Sequence, residues 1–181
     1  MNRENFKKLV KTIINEIQQD QSSVVKPNPT DTKISYSAVI LDEQSQNDLK
    51  GLVDQITVNG VRVPILVRYS GWVWYCHHMT INMGPLKDDL KAAKKTTIGT
   101  DQDLTVTAIG KSDKAVAVRV EGVMAGHNKN TIAHVTVAVN KKQGGKPFDS
   151  KKITEWVSID KFPKLKKLKI KGKVEEVPQV K

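Results

Sequence analysis

The sequence predicts an α+β domain with antiparallel strands, and three observations predict it. Short runs rich in β-branched and apolar residues recur along the chain, beginning with ISYSAVILD at 34–42. The first run leads directly into a stretch, 43–56, with Leu49, Leu52, Val53 and Ile56 at helical spacing. Further on, DLTVTAIG and AVAVRVEG flank residues 111–114, the layout of a hairpin with a four-residue connection.

The remaining elements follow in order. At the N-terminus, Phe6, Leu9, Val10, Ile13, Ile14 and Ile17 recur every three or four residues and predict an amphipathic helix over 1–20. It has two readings: packing on the main domain, or contact with a protein partner or membrane surface aided by Lys7, Lys8 and Lys11. Residues 21–32 are polar with two prolines and predict a linker, so the domain should run over 33–160. VRVPILVRYS and WVWYCHHMTINM are expected to be extended, GPLKDDLKAAKKTTIG a short helix or turn, and 131–140 another strand. NKKQGGKPFDSK is a Gly-rich basic loop, and ITEWVSI follows it. In the Lys-rich segment 161–181, Leu168, Ile170, Gly172 and Val174 alternate with lysines, the pattern of an edge strand with one wet face.

At 181 residues the chain is long enough for one full-sized domain and too short for two comfortable ones. Lys and Arg number 30 against 19 acids, a formal charge of +11, which favours anionic partners such as nucleic acid, nucleotides or membrane phosphates. Residues 161–181 hold eight lysines and two acids, more than half of that charge. A single cysteine, Cys76, excludes an internal disulfide and a cysteine-based zinc cluster, and a reducing, cytoplasmic location is expected. No apolar run reaches the roughly 18 residues needed to span a bilayer, so no transmembrane segment is expected.

Two of the four histidines open the same tripeptide in the same setting. His78-Met79-Thr80 lies in YCHHMTINM and His134-Val135-Thr136 in IAHVTVAVN, 56 positions apart. In a strand, positions i and i+2 project from one face, so each tripeptide presents an imidazole beside a hydroxyl while Met79 and Val135 point to the core. An internal duplication would set the two strands opposite each other across a pseudo-two-fold cleft. By the same parity His77 is expected on the core side, and His127, in AGHNKN, in an exposed loop. Cys76 shares the parity of His78, but two residues along a strand are roughly 6.6 Å apart, too far for a thiol–imidazole nucleophile, and a small buried thiol is the better reading.

The two H-x-T motifs, the opening strand and helix SAVILDEQSQNDLKGLV, and AHVTVAVNKKQGGKPFDSKKITEW resemble the 2H phosphoesterase superfamily. The likeness is to the branch holding the cyclic phosphodiesterase domain of RNA ligases and the A-kinase anchoring protein 2H domain, over about residues 33–160. The resemblance implies a two-lobed, pseudo-symmetric α+β fold with antiparallel sheets flanking a central cleft. It also implies cleavage of a phosphodiester without metal or other cofactor, often a 2',3'-cyclic phosphate or a 2'-5' linkage.

The chemistry can be argued from the residues as well. Opening a cyclic phosphodiester needs a base on one side and an acid on the other, and two imidazoles titrating near neutrality supply both. His78 and His134 would be that pair, with Thr80 and Thr136 donating hydrogen bonds to the non-bridging oxygens. Either histidine could be the acid. Lys142 and Lys146 are expected to meet phosphates at the cleft mouth, and Tyr36 and Trp74 to stack on a base, with core packing the alternative for Trp74.

The expected substrate is therefore an RNA end or a cyclic or 2'-5'-linked oligonucleotide. The setting is RNA processing or repair, or destruction of a nucleotide signal, including viral counter-defence. The alternative is a module that binds nucleotide or RNA on the same fold without cleaving it. A basic coat for nucleic acid, resting on charge alone, is a third reading.

Overall fold

The computed structural model describes residues 33–124, 132–162 and 167–179. The helix predicted at 1–20, the linker at 21–32 and His127 lie outside them. The elements are β1 (Ile34–Leu41), α1 (Glu43–Leu52), β2 (Thr57–Val58), β3 (Val61–Arg62), α2 (Val63–Tyr69), β4 (Trp72–Trp74) and β5 (His78–Met83). After these come α3 (Leu90–Ala93), β6 (Asp101–Lys111), β7 (Ala115–Glu121), β8 (His134–Asn140), β9 (Trp156–Ser158) and β10 (Lys169–Pro178).

The fold is α+β and every strand pairing is antiparallel. Instead of two separate sheets, six strands form one closed ring in the order β10-β1-β5-β8-β7-β6, with β6 pairing back onto β10. The ring consists of two three-stranded halves, β10-β1-β5 and β6-β7-β8, each holding one H-x-T strand. Strands β4 and β9 attach outside it, on β8 and β6.

Alternation along each strand fills the ring. Val39, Met79, Leu104, Val106, Val118, Val135, Val137, Ile170 and Val174 are all buried in one core. Removing such side chains from water is the main favourable contribution to the fold, about 1.5–3 kcal/mol for each large one. Helix α1 is capped by Asp42, whose carboxylate accepts from Ser45 N–H at 2.7 Å, and it buries Leu49 and Leu52. It is also tied to β10, because Ser45 Oγ accepts from Lys171 N–H at 2.8 Å.

Three expectations are corrected. The C-terminal strand shows the predicted alternation, with Lys169, Lys171 and Lys173 exposed and Ile170 and Val174 buried, but it is no edge. It closes the ring between β1 and β6, and Gly172 makes this fit: a Cβ there would come within 2.8 Å of Val39 Cγ1 and of the Ile40 carbonyl carbon. VRVPILVRYS is mostly the helix α2, not an extended segment. Pro64 is in its first turn, and Val63 and Leu66, three apart, are buried against the core, so packing overrides the β preference of its valines. Between β4 and β5 the chain does not run straight, and that irregularity shapes the site.

Candidate active site

β5 and β8 meet at a single paired position, Met79 against Val135, the middle residues of the two tripeptides. Both side chains are fully buried, so His78, Thr80, His134 and Thr136 all face the other way. Antiparallel pairing about this position sets His78 beside Thr136 and Thr80 beside His134, each imidazole next to the other motif's hydroxyl. These four residues and Tyr36 line one cleft of about 380 Å³, together with Tyr75, His77, Met83, Pro147, Phe148 and Lys151.

Each side chain is positioned by identifiable neighbours. His134 Nδ1 is 2.8 Å from the Ile132 carbonyl; a carbonyl only accepts, so Nδ1 carries the proton and Nε2 is the free nitrogen. Its ring lies 6.5 Å from that of Trp156, whose Nε1–H donates to the Ile153 carbonyl at 3.1 Å. The Tyr36 ring stacks on His78, with centroids 4.8 Å apart and planes at 24°. Tyr36 is thus within the cleft as predicted, but one of its faces is occupied by the imidazole and not open to a base. Thr136 Oγ1 is 3.0 Å from the hydroxyl of the buried Ser150 and donates to the Pro147 carbonyl at 3.4 Å.

Burial sets the protonation of the cleft histidines. The His78 pKa is lowered to about 4, first by desolvation and then by the like charges of His77 and His134. The His134 pKa is lowered too: desolvation is the largest cause, the Ile132 hydrogen bond opposes it, and Lys151 adds repulsion. Both imidazoles are therefore neutral at pH 7 until an anion enters. Cys76 is buried and its thiol is pushed up to about 12 by desolvation, so it is protonated and no nucleophile at neutral pH.

Three predicted substrate contacts are not on the cleft. Trp74 is half-buried and packs on the core from β4. Lys142 follows Asn140, the far end of β8, which lies four residues, or roughly 13 Å of strand, beyond Thr136. There the chain reverses through a 3-10 turn, Lys141–Gln143, which the Asn140 side chain caps, and Lys142 is exposed. Lys146 is also exposed, and its backbone N–H is held by Asp149 at 2.8 Å.

The cation that does line the cleft is Lys151, on the 3-10 helix Pro147–Lys152 that brings the loop back past Thr136. Residues three apart eclipse in a 3-10 helix, so Phe148 shares its face, and Lys151 Nζ is 5.2 Å from the Phe148 ring centre. Phe148 is 60% exposed, and Lys152 Nζ also lies 5.7 Å from its ring centre. The signal for this pair was in PFDSK: a proline opening a helical turn, then an aromatic and a lysine at i, i+3.

His77 is the other residue the parity argument misplaced. Cys76 has φ 51°, a left-handed conformation unusual outside glycine, and the register on β8 shifts by two residues between Trp74–Ala138 and Met79–Val135. The extra residues put Cys76 into the core and His77 into the cleft, exposed, with its Nδ1 3.1 Å from His78 Nδ1.

A second hollow of about 510 Å³ lies where β10 meets β1 and β6. It is lined by Asp42, Asp101, Asp103 and Glu175 against Lys171 and Lys173, with Lys173 paired to Asp101 at 3.2 Å. Its acidic balance disfavours a phosphate. Among the described residues no helix is long and apolar enough to cross a membrane, and no three His, Cys, Asp or Glu side chains are placed to hold a metal ion. No family model, no curated protein and no solved structure matches this chain.

Proposed function

We propose that the chain is a metal-independent phosphodiesterase of the 2H type. Its substrate on this reading is an RNA end with a 2',3'-cyclic phosphate, or a cyclic or 2'-5'-linked oligonucleotide. The observation that carries this reading is the pairing of Met79 with Val135, which brings two imidazoles and two hydroxyls onto one face of one cleft. The two three-stranded halves of the ring, each with one motif strand, support this reading, since the resemblance implies two similar lobes.

The surroundings distribute the roles. His78, the more strongly depressed of the two, is suited to be the base, taking a proton from the attacking water on Nε2. His134 keeps a hydrogen bond that favours its charged form, and an entering phosphate favours that form further, which suits the acid. Water oxygen bonds to phosphorus, the bond from phosphorus to one ribose oxygen breaks, and His134 Nε2–H protonates that oxygen. A phosphomonoester with a free neighbouring hydroxyl results, and proton exchange with solvent resets both rings. Thr80 donates to a non-bridging oxygen, where negative charge accumulates. Thr136 does the same by turning its one hydroxyl hydrogen from the Pro147 carbonyl, with Ser150 then donating to the Thr136 oxygen and Lys151 adding a positive field. Phe148 offers the face on which a base stacks.

A panel of RNA oligonucleotides ending in 2',3'-cyclic phosphate, 2'-5'-linked oligoadenylates and cyclic dinucleotides, assayed with EDTA present, tests the proposal. Turnover of at least one member is expected. Turnover of none, or turnover only with added metal, would refute it, and binding without turnover would select the non-catalytic module.

A further inference from the structure

His77 lies outside the H-x-T pattern, yet the fold takes trouble to present it. The left-handed turn at Cys76 is strained and persists only where surroundings over-determine it. Here they do: Tyr75 N–H donates to the Val137 carbonyl at 2.8 Å, Cys76 N–H to the Thr136 carbonyl at 2.9 Å, and Leu41 N–H to the His77 carbonyl at 2.9 Å. The buried Cys76 side chain anchors the turn from the core side. The turn delivers the His77 ring edge-on to His78, with centroids 5.4 Å apart, planes at 85° and the two Nδ1 atoms 3.1 Å apart. Two nitrogens at that distance share one proton.

We propose that His77 is a positioning residue: its Nδ1 accepts the Nδ1–H of His78, fixing the tautomer that leaves His78 Nε2 free in the cleft. His134 shows the same arrangement with a different acceptor, since its Nδ1–H donates to the Ile132 carbonyl. A base at Nε2 and an acid at Nε2 both require a proton on Nδ1, and the partner on that side sets which nitrogen holds it. At His134 that partner is a carbonyl oxygen; at His78 it is an imidazole nitrogen.

Tyr36 from β1, Tyr75 from the same turn, His134 from β8 and Lys151 from the 3-10 helix line the cleft around His78.

This inference rests on the phosphodiesterase reading only for its kinetic part. Imidazole nitrogen NMR on the full chain, without substrate, is expected to show His78 protonated at Nδ1 in the wild type and a tautomer mixture in His77→Phe. His77→Asn, whose side-chain carbonyl can accept in place of Nδ1, is expected to restore the wild-type tautomer. With a 2',3'-cyclic-phosphate RNA oligonucleotide, His77→Phe should lower kcat about tenfold or more with KM nearly unchanged. His77→Asn should recover most of kcat. An Nε2-protonated His78 in the wild type, or an unchanged tautomer in His77→Phe, overturns the inference whether or not the RNA is cleaved. Equal impairment of the Phe and Asn variants in kcat also overturns it.

Discussion

At the scale of the residue, the two histidines of the cleft are held where water is scarce, and that has a thermodynamic cost of its own. The His78 pKa is lowered to about 4 by burial and by His77 and His134, against about 6.5 for a free imidazole. The unfolded chain therefore binds a proton that the folded chain refuses between these values. Stability from this group is full above pH 6.5 and is lost as pH falls toward 4, by on the order of 2–3 kcal/mol. Urea titrations of the wild type and of His78→Gln are expected to converge as pH falls, the wild type losing more. Parallel curves across that window would show that His78 is not desolvated. Period-two spacing made the His and Thr faces legible in sequence, whereas His77 was not, because nothing in YCHH signals a left-handed residue. Asn and Gly usually carry that signal, as Asn59-Gly60 does between β2 and β3, both with positive φ.

At the scale of the element, the segment after β8 determines which side chains line that end of the cleft. The Gly-rich loop suggested lysines at the cleft mouth, but the Asn140 cap and the left-handed Gly144 turn Lys142 away, and the returning 3-10 helix supplies Phe148 and Lys151. Just beyond it, Ile153 at its C-terminal cap and Trp156 of β9 pack with Ala115 and Ala117 of β7, which ties the end of the helix to the sheet. A stacked base contributes about 1–3 kcal/mol. Phe148→Ala should therefore raise KM for an oligonucleotide substrate by about fivefold or more and leave kcat within a factor of about two. A fall in kcat at unchanged KM would remove Phe148 from substrate binding. Strands β1, β5, β6, β7 and β8 could be read from alternation and apolar runs. Helix α2 could not, because its valines carry a strand preference that burial of Val63 and Leu66 overrides.

At the scale of the whole molecule, the cleft exists because a ring closes behind it. Lys-rich β10 resembles a protected edge in sequence, since an edge and a closing strand share the same alternation; only the partner on its second side, β6, distinguishes them. At Gly172, β10 lies against β1 with no room for a Cβ, and Gly172→Ala must displace one of the two backbones. A loss of about 1–3 kcal/mol is expected, read as a lower urea midpoint. An unchanged midpoint would mean that the ring closes more loosely than described. The paired motif was the part of the site that sequence made plain, because it is periodic. Its walls come from residues 36, 75, 77, 83, 147, 148 and 151, which are brought together only by the ring.

The central claim is that two imidazoles facing one cleft from β5 and β8 are the acid and base for a phosphodiester. Its most direct test is turnover of a 2',3'-cyclic-phosphate RNA oligonucleotide, or whichever panel member the wild type cleaves, by His78→Ala and His134→Ala in EDTA. Each variant is expected to lose about 10²–10⁴ in kcat while still binding the oligonucleotide. Wild-type turnover by either variant would contradict the claim for that histidine.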